Sequence, residues 1–94
     1  MNKYEIVLMF YPDVDADVRE KHLERLKKII EDNGSIQTAD EWGNRKLAYE
    51  IEYYKEAYYV LMEFEAQPEA IKELARIAGI LDSVMRHMIV RVDE

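Results

Sequence analysis

With 94 residues, 49% of them hydrophobic, the chain can build one packed core but not two. It has no cysteine, which excludes a disulfide framework and a thiolate metal site and makes an intracellular compartment the simpler expectation. A formal charge of -7 weighs against nucleic-acid binding, so any such role must rest on a local basic stripe.

The N-terminus runs straight into a strand pattern that contains Glu5, unlike the charged and apolar regions of a signal peptide. No apolar run approaches the roughly 20 residues of a membrane span. A soluble cytoplasmic protein with no membrane partner is expected. Residues 3 to 11 alternate, with Tyr4, Ile6, Leu8 and Phe10 on one side and Lys3, Glu5, Val7 and Met9 on the other, and Pro12 ends the strand.

The acidic run Asp13-Val14-Asp15-Ala16-Asp17 suits a helix N-terminus. Val18, Leu23, Leu26, Ile29 and Ile30 then recur at roughly helical spacing, and Asn33-Gly34 supplies a stop, so a first helix is predicted over about 16 to 33. Asp13, Asp15, Asp17 and Glu24 mimic part of a calcium loop, but Val18 stands where that loop requires glycine, and no metal is expected.

Residues 35 to 42 alternate weakly. Arg45 to Tyr54 alternates well, with Leu47, Tyr49, Ile51 and Tyr53 on one face. The Gly43-Asn44 pair between these stretches fits either a hairpin turn or a bulge in one long strand. Ala57 to Glu65 is the clearest strand, placing Tyr58, Val60, Met62 and Phe64 opposite Tyr59, Leu61, Glu63 and Glu65. Gln67-Pro68 opens a second helix with an apolar stripe of Ile71, Leu74, Ala75, Ile77 and Ala78, and Gly79 is its expected end. Val84 to Val92 is a last strand, followed by the acidic Asp93-Glu94.

If the middle stretch is one bulged strand, the order is β-α-β-β-α-β. That order is an α+β class with a four-stranded antiparallel sheet and both helices on one face. The other face stays open and presents Val7, Met9, Tyr59 and Leu61, an apolar set that suggests a partner. The last strand is ambiguous, because hydropathy alone turns Met88, Val90 and Val92 inward.

The stretch Trp42-Gly43-Asn44-Arg45-Lys46-Leu47-Ala48-Tyr49-Glu50-Ile51 resembles the signature of the bacterial small-subunit ribosomal protein six family, with its Gly-x-Arg-x-Leu-Ala-Tyr core. Tyr4-Glu5, Ala57-Tyr58-Tyr59-Val60 and Asp82 to Arg91 fit in order, so residues 1-94 read as one ferredoxin-like ribosomal protein domain. Glu50 and Ala57 depart from the family, which often has proline and glycine there.

The resemblance implies a bulged second strand and a structural, non-enzymatic role with no cofactor, no catalytic residue and no small-molecule substrate. It also implies two partners, the central domain of small-subunit ribosomal RNA and the basic small-subunit ribosomal protein eighteen. It turns His87 and Ile89 inward, which adds Met88 to the partner-binding set of Val7, Met9, Tyr59 and Leu61.

Lys3, Arg45, Lys46, Arg86 and Arg91 are the candidate RNA contacts, able to hold phosphates without reading sequence. The competing reading pairs them with carboxylates such as Glu5, Glu63 and Glu65 across the sheet. The lysines and arginines of the first helix alternate with acids and carry no assigned role. Seven tyrosines could stack bases, but Tyr4, Tyr49 and Tyr58 fall on apolar faces and read as core.

Two other functions compete. An acylphosphatase-like enzyme would need an anion-binding first loop, and carboxylates occupy that loop here. A regulatory ligand-binding or dimerisation domain of ferredoxin-like fold is left open by the layout. Neither His22 nor His87 belongs to a nucleophile motif in sequence; His22 reads as a partly solvated helix residue and His87 as wedged at a sheet edge.

Overall fold

The computed structural model describes residues 1–92, and the acidic Asp93-Glu94 end lies outside them. Every second residue of β1 (Asn2–Phe10) from Tyr4 onward is buried, and the residues between are half-buried, so the strand divides the protein into a covered and an open side. β3 (Tyr54–Ala66) repeats the pattern beside it, burying Val60, Met62, Phe64 and Ala66. These side chains form one core with Leu23, Leu26 and Ile30 of α1 (Ala16–Asn33) and Ala70, Leu74, Ile77 and Ala78 of α2 (Pro68–Ile80). Both helices therefore lie on one face, α1 against β2 (Gly34–Ile51) and β3, α2 against β4 (Val84–Arg91).

The sheet order is β2-β3-β1-β4 with every neighbouring pair antiparallel, the ferredoxin-like arrangement. Among the described residues no helix is long and apolar enough to cross a membrane.

The middle of the chain is one strand. β2 slips register at Gln37 and again at Trp42, each time carrying one extra residue against β3, and Gly43 accommodates the second bulge with φ +78. The hairpin turn falls at Glu52-Tyr53 instead, where both residues take positive φ, 50 and 70, as the twist of a two-residue turn demands. Tyr53 is accordingly a turn residue, 95% exposed, and not a member of the Leu47-Tyr49-Ile51 row.

Four smaller expectations change. Helix α1 does stop at Asn33, but Gly34 is extended, not left-handed; it is needed because a β-carbon there would overlap the Glu65 carbonyl. Gly79 lies inside α2, which runs on to Ile80 and closes with Leu81 N–H donating to the Ile77 carbonyl. Val18 is exposed, because in the first turn of α1 it is the next residue, Arg19, that faces the sheet, with its guanidinium over the Tyr58 ring of β3. Tyr49 is 66% exposed, because it lies in residues 47–50, which pass beyond their pairing with β3.

Candidate RNA- and partner-binding surface

The open face is ordered from end to end by strand register. Lys3, Glu5, Val7 and Met9 of β1 stand opposite Glu65, Glu63, Leu61 and Tyr59 of β3. On the other flank Val90, Met88 and Arg86 of β4 stand opposite Glu5, Val7 and Met9. The expected partner-binding residues Val7, Met9, Tyr59, Leu61 and Met88 therefore share one face. Met88 is 55% exposed, while His87 and Ile89 turn toward the core. Register explains the last strand better than hydropathy does: Ile89 pairs with buried Ile6, which fixes the alternation of the whole strand.

The centre of the face is apolar, formed by Val7, Leu61 and Met88. One end is acidic, with Glu5, Glu63 and Glu65 accompanied by Lys3. Glu5 and Glu63 are direct cross-strand partners, an arrangement of like charges that does not stabilise a sheet.

The other end is aromatic and basic. Trp42, pushed out by the bulge at Gly43, stacks on Tyr59 with ring centroids 6.4 Å apart. Arg45 donates from Nε to the Trp42 carbonyl at 3.2 Å and holds its guanidinium 6.0 Å from the indole centroid. Arg86 lines a shallow hollow there with Met9, Leu47 and Tyr59. Trp42 belongs to this surface although its sequence context marked it only as part of a signature; a tryptophan beside a bulge glycine was the signal available.

The five candidate RNA-contacting residues are not gathered in one place. Arg45 and Arg86 share the basic end of the open face. Lys46 alternates to the other side of β2, beside a hollow of about 710 Å³ that Tyr49, Tyr54 and Pro12 also line. Lys3 lies at the acidic end opposite Glu65. Arg91, paired with Tyr4, lies on the helix side of the β4 edge, its Nη2 3.4 Å from Asn2 Oδ1. Among the described residues Arg86, Glu5, Glu63 and Glu65 form no ion pair or side-chain hydrogen bond, so the expected cross-strand pairing does not occupy them.

The hairpin tip beside Lys46 is tied to the β1–α1 loop. Tyr11 donates its hydroxyl to the Glu52 carboxylate, and Tyr54 donates to Asp13 at 2.9 Å, with the two rings 5.1 Å apart. The hydrogen bond to Glu52, aided by partial burial, pushes the Tyr11 phenol up to about 12, and the bond to Asp13 raises Tyr54. Further in, Arg19 lays its guanidinium 3.7 Å from the Tyr58 ring, and Tyr58 donates to Glu41 at 2.9 Å. Burial, then that bond, raises the Tyr58 phenol.

His22 Nδ1 lies 2.6 Å from Ser83 Oγ, but Ser83 is 2% exposed, so the pair satisfies a buried hydroxyl and offers no nucleophile to a substrate. Of the calcium-loop mimics, Asp13 accepts from Tyr54 and Glu24 lies 3.9 Å from Lys27; no group of metal-holding side chains converges among the described residues.

Comparison with known proteins bears on the family and the fold. Residues 3–91 match the family model described as ribosomal protein S6. The chain is 46% identical to small ribosomal subunit protein bS6 of Alkaliphilus metalliredigens over the full length of both, and 43% identical to the Clostridium perfringens protein of the same name, again over all of both chains. The crystal structure of 30S ribosomal protein S6 from Thermotoga maritima superposes with a TM-score of 0.90 at 31% identity, covering 97% of this chain and 87% of that one. An uncharacterized Thermotoga maritima protein, 13% identical with a TM-score of 0.64 over 98% of both chains, shares the fold alone.

Proposed function

Because the chain belongs to the ribosomal protein S6 family, and so is a structural, non-catalytic component of the small ribosomal subunit in the cytoplasm, we propose that it binds the central domain of small-subunit ribosomal RNA beside ribosomal protein eighteen. The whole chain acts as one domain in this role. The observation that carries the reading is the open face itself: an apolar centre continuous with an end at which Arg86 and Arg45 are free of carboxylate partners. Guanidinium groups so placed can hold phosphates, and Lys46, Lys3 and Arg91 extend the basic contacts around both ends of the sheet.

The apolar centre of Val7, Met9, Tyr59, Leu61 and Met88 meets the protein partner. Covering it removes apolar area from water at about 25 cal/mol per Å². A basic partner also explains how a chain of charge -7 sits on RNA, since the partner brings the positive charge that this chain lacks. Sedimentation of cell extract tests the placement. The chain should travel with the small-subunit peak, and its absence from that peak would overturn the reading.

A further inference from the structure

The hollow of about 710 Å³ at the β2–β3 hairpin tip brings together aromatic rings, carboxylates and ammonium groups. We propose that it receives an unpaired guanine nucleotide of RNA, stacked on the tip tyrosines. The inference rests on the reading of the chain as an RNA binder and names the RNA feature that this end of the molecule holds.

The lining matches the three parts of such a nucleotide. Tyr53, 95% exposed, and Tyr49, 66% exposed, bring to the hollow rings that stack on no other ring among the described residues. Stacking on aromatic side chains is a common way for a protein to hold an unstacked base. Glu50 supplies the base-reading group. It lies in residues 47–50, which have no register partner on β3, whereas Glu56, the other carboxylate of the lining, stands opposite Lys46. A carboxylate accepts at once from N1–H and the N2 amino group of guanine; adenine presents an acceptor at N1, and the pyrimidines offer one donor group and a smaller stacking face. Lys46 and Lys55 bring ammonium groups for the flanking phosphates. Among the described residues Lys46, Glu50 and Lys55 form no ion pair or side-chain hydrogen bond.

The backbone gives an independent sign. Glu52 and Tyr53 hold φ 50 and 70 without being glycine, and a bulky side chain persists at positive φ only where its surroundings fix it. Tyr11 and Tyr54 do the fixing, tying the tip to the β1–α1 loop through Glu52 and Asp13. A ring held in solvent on a strained, tied turn adds nothing to the core. It is a stacking platform set in place before its ligand arrives.

The test has two arms. In the first, guanosine monophosphate and cytidine monophosphate are titrated to about 20 mM into the full chain without RNA, and backbone amide shifts are followed by NMR. The guanine nucleotide should shift residues 46–56. The cytosine nucleotide should bind at least about fivefold more weakly, a preference that Glu50→Gln should remove. In the second arm, affinity for a central-domain RNA fragment is measured. Tyr53→Gly should lose about fivefold to a hundredfold there, although it relieves the turn and should melt no lower than the wild type. Tyr53→Phe keeps the ring and should keep the affinity. Absent or scattered shifts, no preference between the two nucleotides, or full RNA affinity in Tyr53→Gly would each overturn the proposal. So would a Tyr53→Gly chain that loses only the cooperative gain from ribosomal protein eighteen, because the tip would then serve the protein partner. A wild-type chain that does not bind the fragment overturns the RNA reading and this proposal with it, whereas one that binds through Arg86 and Arg45 but ignores Tyr53 overturns this proposal alone.

Discussion

The covered and open faces of this sheet are written by alternate residues of the same strands, yet they follow different constraints. On the covered face Ile6, Leu8, Phe10, Val60, Met62 and Phe64 are buried against two helices, and Ser83, the one buried polar side chain among the described residues, has its hydroxyl taken by His22. One residue away along each strand, Val7, Met9, Tyr59 and Leu61 stay half-buried with charges at both ends. Volume and shape govern the first face; the order of charge governs the second. Changes on the covered face should therefore register as lost stability, and changes on the open face as lost association.

The largest expected effect breaks or upholds that division. Leu26→Ala empties a fully buried position and should cost about 2 to 5 kcal/mol in a urea melt, whereas Val7→Ala should cost less than about 1 kcal/mol and Lys27→Ala almost nothing. Equal losses from all three would mean that the helix face or the strand register is misassigned. Next in size is Gly34→Ala, which drives a methyl group into the Glu65 carbonyl at the start of β2. Its cost should be about 1 to 3 kcal/mol by the same melt, and a neutral result would show that the β2–β3 approach is looser than described.

Substitution at the hairpin tip should act in the opposite direction. Tyr53 holds φ 70 with its side chain in solvent, so Tyr53→Gly removes left-handed strain without uncovering apolar surface and should stabilise by about 0.5 to 1 kcal/mol. A smaller effect belongs to the Tyr11–Glu52 bond. The Tyr11 phenol is pushed up to about 12 in the folded chain against about 10 unfolded, so the native state keeps its proton longer. The contribution is complete below pH 10 and is lost as pH rises through 12. Melting temperatures of wild type and Tyr11→Phe should differ below pH 10 and converge toward pH 12; a constant difference would show that the bond is not what holds the proton.

The covered face was legible in the sequence because burial imposes period two on β1 and β3 and helical spacing on Leu23, Leu26 and Ile30. The same rule, applied to spacing, separates Arg86 from Arg91: five residues apart on one strand, they must face opposite ways. The β2–β3 turn was not legible, because Glu52 and Tyr53 have none of the chemistry that marks positive φ and Tyr53 continues the alternation. Gly43 and Gly34 were visible as glycines, but one relieves a bulge and the other a close backbone approach, and both purposes depend on a neighbouring strand. Trp42 was visible, and its stack on Tyr59 depended on the bulge that turns it outward.

The most direct test of the open face as an RNA and partner surface is a salt titration of binding to a central-domain RNA fragment, with and without ribosomal protein eighteen. Arg86→Ala and Arg45→Ala should each flatten the slope of log affinity against log salt by about 0.7 to 0.9 per lost phosphate contact, whether or not the partner is present. The Tyr59→Ala, Leu61→Ala variant should keep the slope of its own contacts and lose the cooperative gain that the partner brings. Unchanged slopes for the basic-residue variants, or full cooperativity in the apolar one, would contradict the assignment of this face.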